Sequence, residues 1–268
     1  MLYPPLAKCY KGMFPFKLST TSYIYPDHIL PNVAMLAPSL DEIELVLFES
    51  KGQDNFPSDG EMKALLELSL RREVGFNVHL PIDIYLGNRS EEVRKSGVST
   101  VKKVIEKTLC LNPSVYTLHF DLRDENGHQE TDIDGWQRRI IRSAKEILKS
   151  GIEPKRISIE TLGYPFEWVE EIVRTFGFSI CLDIGHILIS GQDLQYHLEK
   201  YLPDASVVHL HGLENGIDHV GIDRLSEPVS ERILSRLRDY HGIVSLEVFS
   251  IDDLQRSLLF LEEKWLKE

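Results

Sequence analysis

Short apolar runs rich in β-branched residues alternate with longer amphipathic stretches along the chain. The runs Phe16–Ser22, Glu42–Glu49, Gly75–Pro81, Val115–Phe120, Arg156–Glu160, Phe178–Asp183, Ser206–His211 and Val244–Phe249 have the length and composition of strands. Helical patterning fills the intervals over Asp59–Val74, Thr100–Leu111, Gly135–Ser150, Phe166–Phe176, Asp193–Leu202, Val229–Tyr240 and Ile251–Trp265. Asp134 and Asp252 read as helix caps and Gly151 as a helix stop. Pro31 interrupts the first crossover, Tyr25–Pro38, and predicts a short or irregular helix there.

Strict alternation of strand and helix implies a parallel sheet, and eight such units favour closure into a barrel. The expected fold is α/β, a single (β/α)8 TIM barrel occupying residues 1–268 as one domain. No G-x-G-x-x-G follows the first strand, so a dinucleotide-binding sheet has little support.

Composition refines this picture in two respects. The formal net charge of −12 repels polyanions and disfavours extended nucleic-acid binding, unless bound cations reverse the field locally. The cysteines Cys9, Cys110 and Cys181 are odd in number and widely spaced, which argues against a disulfide framework. Met1–Phe16 has no sustained apolar run, so neither a signal peptide nor a membrane span is expected, and a reducing cytoplasm fits best.

The candidate chemistry lies where barrels place it, at the C-terminal ends of the strands. Strand three ends Val78-His79-Leu80-Pro81 and strand four Leu118-His119-Phe120-Asp121. Strand five ends at Glu160, strand six at Asp183-Ile184-Gly185-His186, strand seven at His209-Leu210-His211, and strand eight carries Glu247. Six consecutive strands thus finish with a potential metal ligand. Any one of them alone would read as a hydrogen-bonded rim residue. Together they point to divalent cations, because buried carboxylates and imidazoles are costly unless paired or bound to ions. The mixture suits Zn2+ or Mn2+, and no cysteine belongs to the set. Asp218-His219, in the loop after strand seven, offers a further site; the roles of Glu49 and His211 stay open.

These residues resemble the xylose isomerase-like barrels, and among them the endonuclease IV-like AP endonuclease family 2. The most specific pieces are Val78-His79-Leu80-Pro81, Ile159-Glu160-Thr161, Cys181-Leu182-Asp183-Ile184-Gly185-His186, Val208-His209-Leu210 and Leu246-Glu247. The resemblance implies two or three divalent ions. It assigns His79, His119 and Glu160 to a first site, Glu160, Asp183, His209 and Glu247 to a second, and His186, Asp218 and His219 to a third. The family spaces the last pair as Asp-x-His, whereas Asp218 and His219 are adjacent, which bears on whether both bind metal.

Single-metal sugar isomerases and epimerases need only the second set. The additional His79 and His119 imply additional cations, and adjacent cations suit phosphoryl transfer. The expected activity is therefore phosphodiester hydrolysis, with Glu160 and Glu247 holding ions and orienting water. The segments Phe14–Asp27, Ile43–Ser50, His209–Gly212 and Asp218-His219 are similar to cobamide-remodelling phosphodiesterases. That similarity implies a cytoplasmic enzyme acting on a cobamide or related corrinoid, with no nucleic-acid or membrane partner. On this reading Ser19–Ser22 could contact phosphate or a corrin rim, and Tyr23 and Tyr25 could stack on a flat ligand. The alternatives are an abasic-site endonuclease, a sugar isomerase or epimerase, and a non-catalytic metal or corrinoid carrier.

Overall fold

A computed structural model describes residues 4–47 and 56–266. Among these residues eight parallel strands form one sheet: β1 (Lys17–Thr20), β2 (Glu42–Val46), β3 (Gly75–His79), β4 (Tyr116–Leu118), β5 (Ile157–Glu160), β6 (Ser179–Asp183), β7 (Ala205–Leu210) and β10 (Ile243–Leu246). β1 pairs with β10, and the isolated parallel bridge between Thr21 and Glu44 brings it against β2, so the sheet closes into a (β/α)8 barrel. Ser22 strengthens that seam, its N–H donating to the Glu44 carbonyl at 2.9 Å and its hydroxyl accepting the Val46 N–H at 3.1 Å. All eight expected strands form; seven are one to three residues shorter than their apolar runs, and β7 keeps its length.

The crossover helices are α1 (Ile29–Leu36), α2 (Asp59–Arg72), α3 (Glu91–Thr108), α4 (Ile133–Leu148), α5 (Glu167–Phe176), α6 (Ile184–Ile189), α7 (Leu194–Lys200), α8 (Glu227–Leu237) and α9 (Ile251–Leu266). Pro31 shortens α1 as expected; it sits in the first turn, where its missing N–H has no intrahelical partner to lose. Helix α3 starts nine residues before the expected Thr100, capped by Ser90. The small residues of its first half hid it: Gly97 packs close to Leu86, whose side chain a β-carbon would approach to 3.3 Å. Asp132 rather than Asp134 caps α4, accepting the Gly135 N–H at 2.9 Å, and the Ser250 hydroxyl rather than Asp252 takes the Asp253 N–H at the start of α9. Gly151 follows α4 with φ +82, the left-handed turn expected of a helix stop.

Two elements had no counterpart in the sequence pattern. The six-residue α6 starts directly on Asp183. The antiparallel hairpin β8 (Gly212–Glu214) and β9 (Ile217–Val220) turns at Asn215-Gly216, both at positive φ. Asp218 and His219 therefore lie on a strand, not in an open loop.

Register places the site. Asp183 pairs with His209, which pairs with Ser245, which pairs with Ser19. Opposite them Val46 pairs with His79 and His79 with Thr117. One pleat lower, Cys181, Val207 and Ile243 pair across β6, β7 and β10 and pack with Val115 as an apolar plug. Phe14, Phe16 and Trp265 pack ring against ring beneath β1.

Candidate metal centre

Glu160, at the end of β5, is the hub of the site. Its Oε2 lies 3.2 Å from His79 Nε2 and 2.8 Å from His119 Nε2. Its Oε1 lies 3.2 Å from His186 Nδ1 and 3.8 Å from His209 Nδ1. Strands β3 to β7 thus deliver four imidazoles to one fully buried carboxylate. Burial alone would raise the Glu160 pKa, but the charge and hydrogen bond of His119, reinforced by His186 and His209, hold it well below the usual carboxylate range.

Asp183 caps α6, its Oδ1 accepting the His186 N–H at 2.7 Å and facing His211 Nε2 at 3.3 Å. That leaves Oδ2 turned to His186 Nδ1 at 3.3 Å and His209 Nδ1 at 3.8 Å. Glu247 approaches from the end of β10, with Oε2 3.2 Å from His209 Nδ1 and 3.6 Å from His219 Nε2. His79 faces the Leu80 carbonyl through Nδ1 at 2.8 Å. A carbonyl only accepts, so Nδ1 keeps a proton, and Nε2 is the atom that would bind a metal.

Five groups converge closely enough to hold cations, the ligand atoms of each lying within 4.8 Å of one another: His79, His119 and Glu160; Glu160, Asp183, His209 and Glu247; His211, His219 and Glu247; Glu44, His79, His209 and Glu247; and Glu160, Cys181 and His209. The chemistry of the buried atoms fits a metal. Asp183 Oδ2, His209 Nδ1 and Glu247 Oε2 are shielded from solvent and make no hydrogen bond of good geometry. Such atoms are costly unless a cation satisfies them. The way in lies over His119, His186 and His219, whose side chains are 13%, 22% and 25% exposed, against 7% or less for His79, Glu160, Asp183, His209 and Glu247.

A sequence profile of the xylose isomerase-like TIM barrel matches residues 40–267. The chain belongs to that family. Solved structures with the same fold include a D-tagatose 3-epimerase-like protein (TM-score 0.77, 24% identity, 92% of this chain and 96% of that one). They also include endonuclease IV from Thermus thermophilus (0.69, 18%, 94% and 99%) and the IolI protein with a bound zinc atom (0.68, 15%, 93% and 96%). A search of curated protein sequences returns no match. The family thus joins endonucleases and epimerases on one scaffold, and the site must distinguish between them.

The nine candidate ligands read from the sequence do not all fall as the resemblance implied. His79, His119, Glu160, Asp183, His209 and Glu247 meet in the first two groups. The third group differs: His211 joins His219 and Glu247, whereas Asp218 stands outside, its Oδ1 3.1 Å from His219 Nδ1. His186 bridges Glu160 and Asp183 instead. His211 and His219 stack with ring centroids 4.2 Å apart, and the His219 N–H donates to His211 Nδ1 at 2.9 Å. His219 adopts φ +56 there, a conformation unusual for a non-glycine residue.

Cys181 was set apart from the ligands, yet its sulfur lies within 4.8 Å of ligand atoms of Glu160 and His209. Burial pushes its thiol pKa well above the ordinary value. Glu49 lies outside the described residues, and the acid that β2 sends inward is Glu44, 3.2 Å from His209 Nε2. The pattern Glu42-x-Glu44 on an otherwise apolar strand was the available signal, since period two puts both on one face. The β1 hydroxyls are engaged by the protein: Thr20 and Thr21 donate to the Leu246 and Val248 carbonyls, Ser19 accepts from Asn77, and Ser22 from Val46. Tyr25 is buried, with its hydroxyl donating to the Pro4 carbonyl. His28, His128, His197 and His241 belong to none of the five groups.

Proposed function

We propose that this protein is a metal-dependent phosphodiesterase that cleaves the nucleotide-loop phosphodiester of cobamides, yielding a cobinamide phosphate and the lower-ligand riboside. The observation that carries the hydrolytic reading is the convergence of His79 and His119 on one oxygen of Glu160, beside a four-residue group that could already hold an ion. Two or three divalent ions, Zn2+ or Mn2+ by their mixed nitrogen and oxygen donors, would supply an ionised water near neutral pH and offset charge on the departing oxygen.

The chain's own contribution is placement and fixed charge. Glu160 and Glu247 are both held ionised by imidazoles that outweigh the effect of burial, so they accept hydrogen bonds from the attacking water and orient it. The water oxygen bonds to phosphorus, the bond from phosphorus to the ribose oxygen breaks, and that oxygen leaves protonated. Two features support a cobamide over a DNA duplex. The net charge of −12 opposes a polyanion at long range. The loops and elements after β3, β6, β7 and β10 carry the exposed apolar residues Ile82, Ile189, Ile217 and Phe249, which suit the broad apolar framework of a corrin. The cobamide itself is taken from the sequence resemblance.

A second reading, a single-metal sugar epimerase, is favoured by one specific observation: Glu160, Asp183, His209 and Glu247 form a complete group without His79 or His119. One experiment separates the readings. The purified protein is incubated in parallel with adenosylcobalamin, an abasic duplex and a panel of ketohexoses, with and without chelator, and products are identified by mass spectrometry. Chelator-sensitive release of the riboside supports the proposal; cleavage of the duplex alone, or epimerised sugar alone, overturns it.

A further inference from the structure

Glu44 lies on β2, across the barrel from β7, and is fully buried. One of its oxygens, Oε2, accepts the Ser245 hydroxyl of β10. The other, Oε1, faces His209 Nε2 at 3.2 Å, and both of these atoms are buried without a hydrogen bond of good geometry. Glu44 also belongs to one of the cation-sized groups, with His79, His209 and Glu247; its pairing with His209 requires that Nε2 carry the proton, because a carboxylate accepts and does not donate. That tautomer leaves the lone pair on Nδ1, the atom aimed at Glu247 Oε2, Glu160 Oε1 and Asp183 Oδ2.

We infer that Glu44 is a positioning residue that fixes the Nδ1-ligating tautomer and the ring orientation of His209, with Ser245 locking the carboxylate in place. A carboxylate behind a ligating imidazole raises the basicity of the ligand and restrains its ring. The inference rests on the metal reading of the site but not on the identity of the substrate.

The test reads metal binding, so failure to hydrolyse a cobamide would leave it untouched. Wild type, Glu44→Leu and Glu44→Gln are stripped of metal, checked for folding by circular dichroism, and titrated with Zn2+ against a chromophoric chelator. Co2+-loaded samples are compared by absorption. Glu44→Leu should bind the affected ion about 10- to 100-fold more weakly, with a changed Co2+ spectrum. Glu44→Gln keeps an oxygen able to accept from Nε2; it should retain the wild-type number of ions, weaken the affected one by several-fold to about tenfold, and show a spectrum close to wild type. If Glu44→Leu does not fold, Glu44→Gln decides alone. Unchanged affinity and spectrum in the folded variants would overturn the inference. Loss of one whole ion in Glu44→Gln would also overturn it, by making Glu44 a ligand.

Discussion

A β-carbon on Gly185 would lie 1.8 Å from Cε1 of His211. The glycine in Asp183-Ile184-Gly185-His186 is therefore present for a residue that follows it by 26 positions, because its bare backbone is the floor on which the His211 ring rests beside Asp183. Helix propensity alone would make Gly185→Ala stabilising by up to about 1 kcal/mol. Overpacking predicts the reverse, and we expect a destabilisation of about 1–3 kcal/mol. Displacing His211 from Asp183 should also lower activity by about tenfold or more. Urea denaturation and turnover of the purified variant check both; a more stable, fully active variant would contradict the packing account.

That example shows which parts of the molecule were legible in the sequence. The strands were, because apolar runs such as Glu42–Val46 and Ser179–Asp183 must be buried on both faces and have the length of one barrel wall. The ligands at strand ends were, because an imidazole or carboxylate after such a run points to the barrel mouth. Partners set by side-chain contact across the barrel were not. Glu44 sits within an apolar run and acquires its meaning only from His209 and Ser245, which the closed sheet brings to it. His211 likewise depends on a hairpin whose short strands carry too little periodicity to be recognised.

His119 lies at the mouth, with its side chain 13% exposed and its Nε2 directed at the Glu160 carboxylate. His119→Ala should lower activity by orders of magnitude through loss of a ligand while leaving the fold intact. Circular dichroism and metal analysis should show a native spectrum with less bound metal. Gross unfolding would mean that His119 is a packing residue.

Asp218 and His219 should not be equivalent. His219 faces Glu247 and stacks on His211, whereas Asp218 reaches the site only through His219 Nδ1. Asp218→Asn should cost about 10- to 100-fold in activity or metal affinity as an orienting partner, and His219→Ala more. Parallel kinetics of the two variants check the ranking; a larger loss in Asp218→Asn would reverse the assignment.

The metal-free protein should lose stability as the solution becomes alkaline. Burial alone would lower the pKa of His79, but the hydrogen bond and charge of Glu160 raise it to about 9. Against burial, Asp183 and Glu160 raise His186 to about 10, and Glu247 and Asp218 raise His219 to about 9. Folded values above the unfolded value of about 6.5 mean that the folded state binds protons more tightly. The resulting stability is fully present below that value and is lost as pH rises through about 9 to 10. Calorimetry of chelator-treated protein should show Tm falling between pH 7 and 10. Metal loading should release protons, since ligating imidazoles give theirs up. A Tm that rises over this range would contradict the assignment.

Phosphodiester hydrolysis at this site depends on more than one cation. Metal-to-protein stoichiometry, measured by mass spectrometry on protein reconstituted with Zn2+ and dialysed free of excess, tests that most directly. We predict two or three ions per chain in the wild type, and one fewer in a His79→Ala, His119→Ala double variant. A single ion in the wild type, retained in the double variant, would contradict the proposed chemistry and restore the epimerase reading.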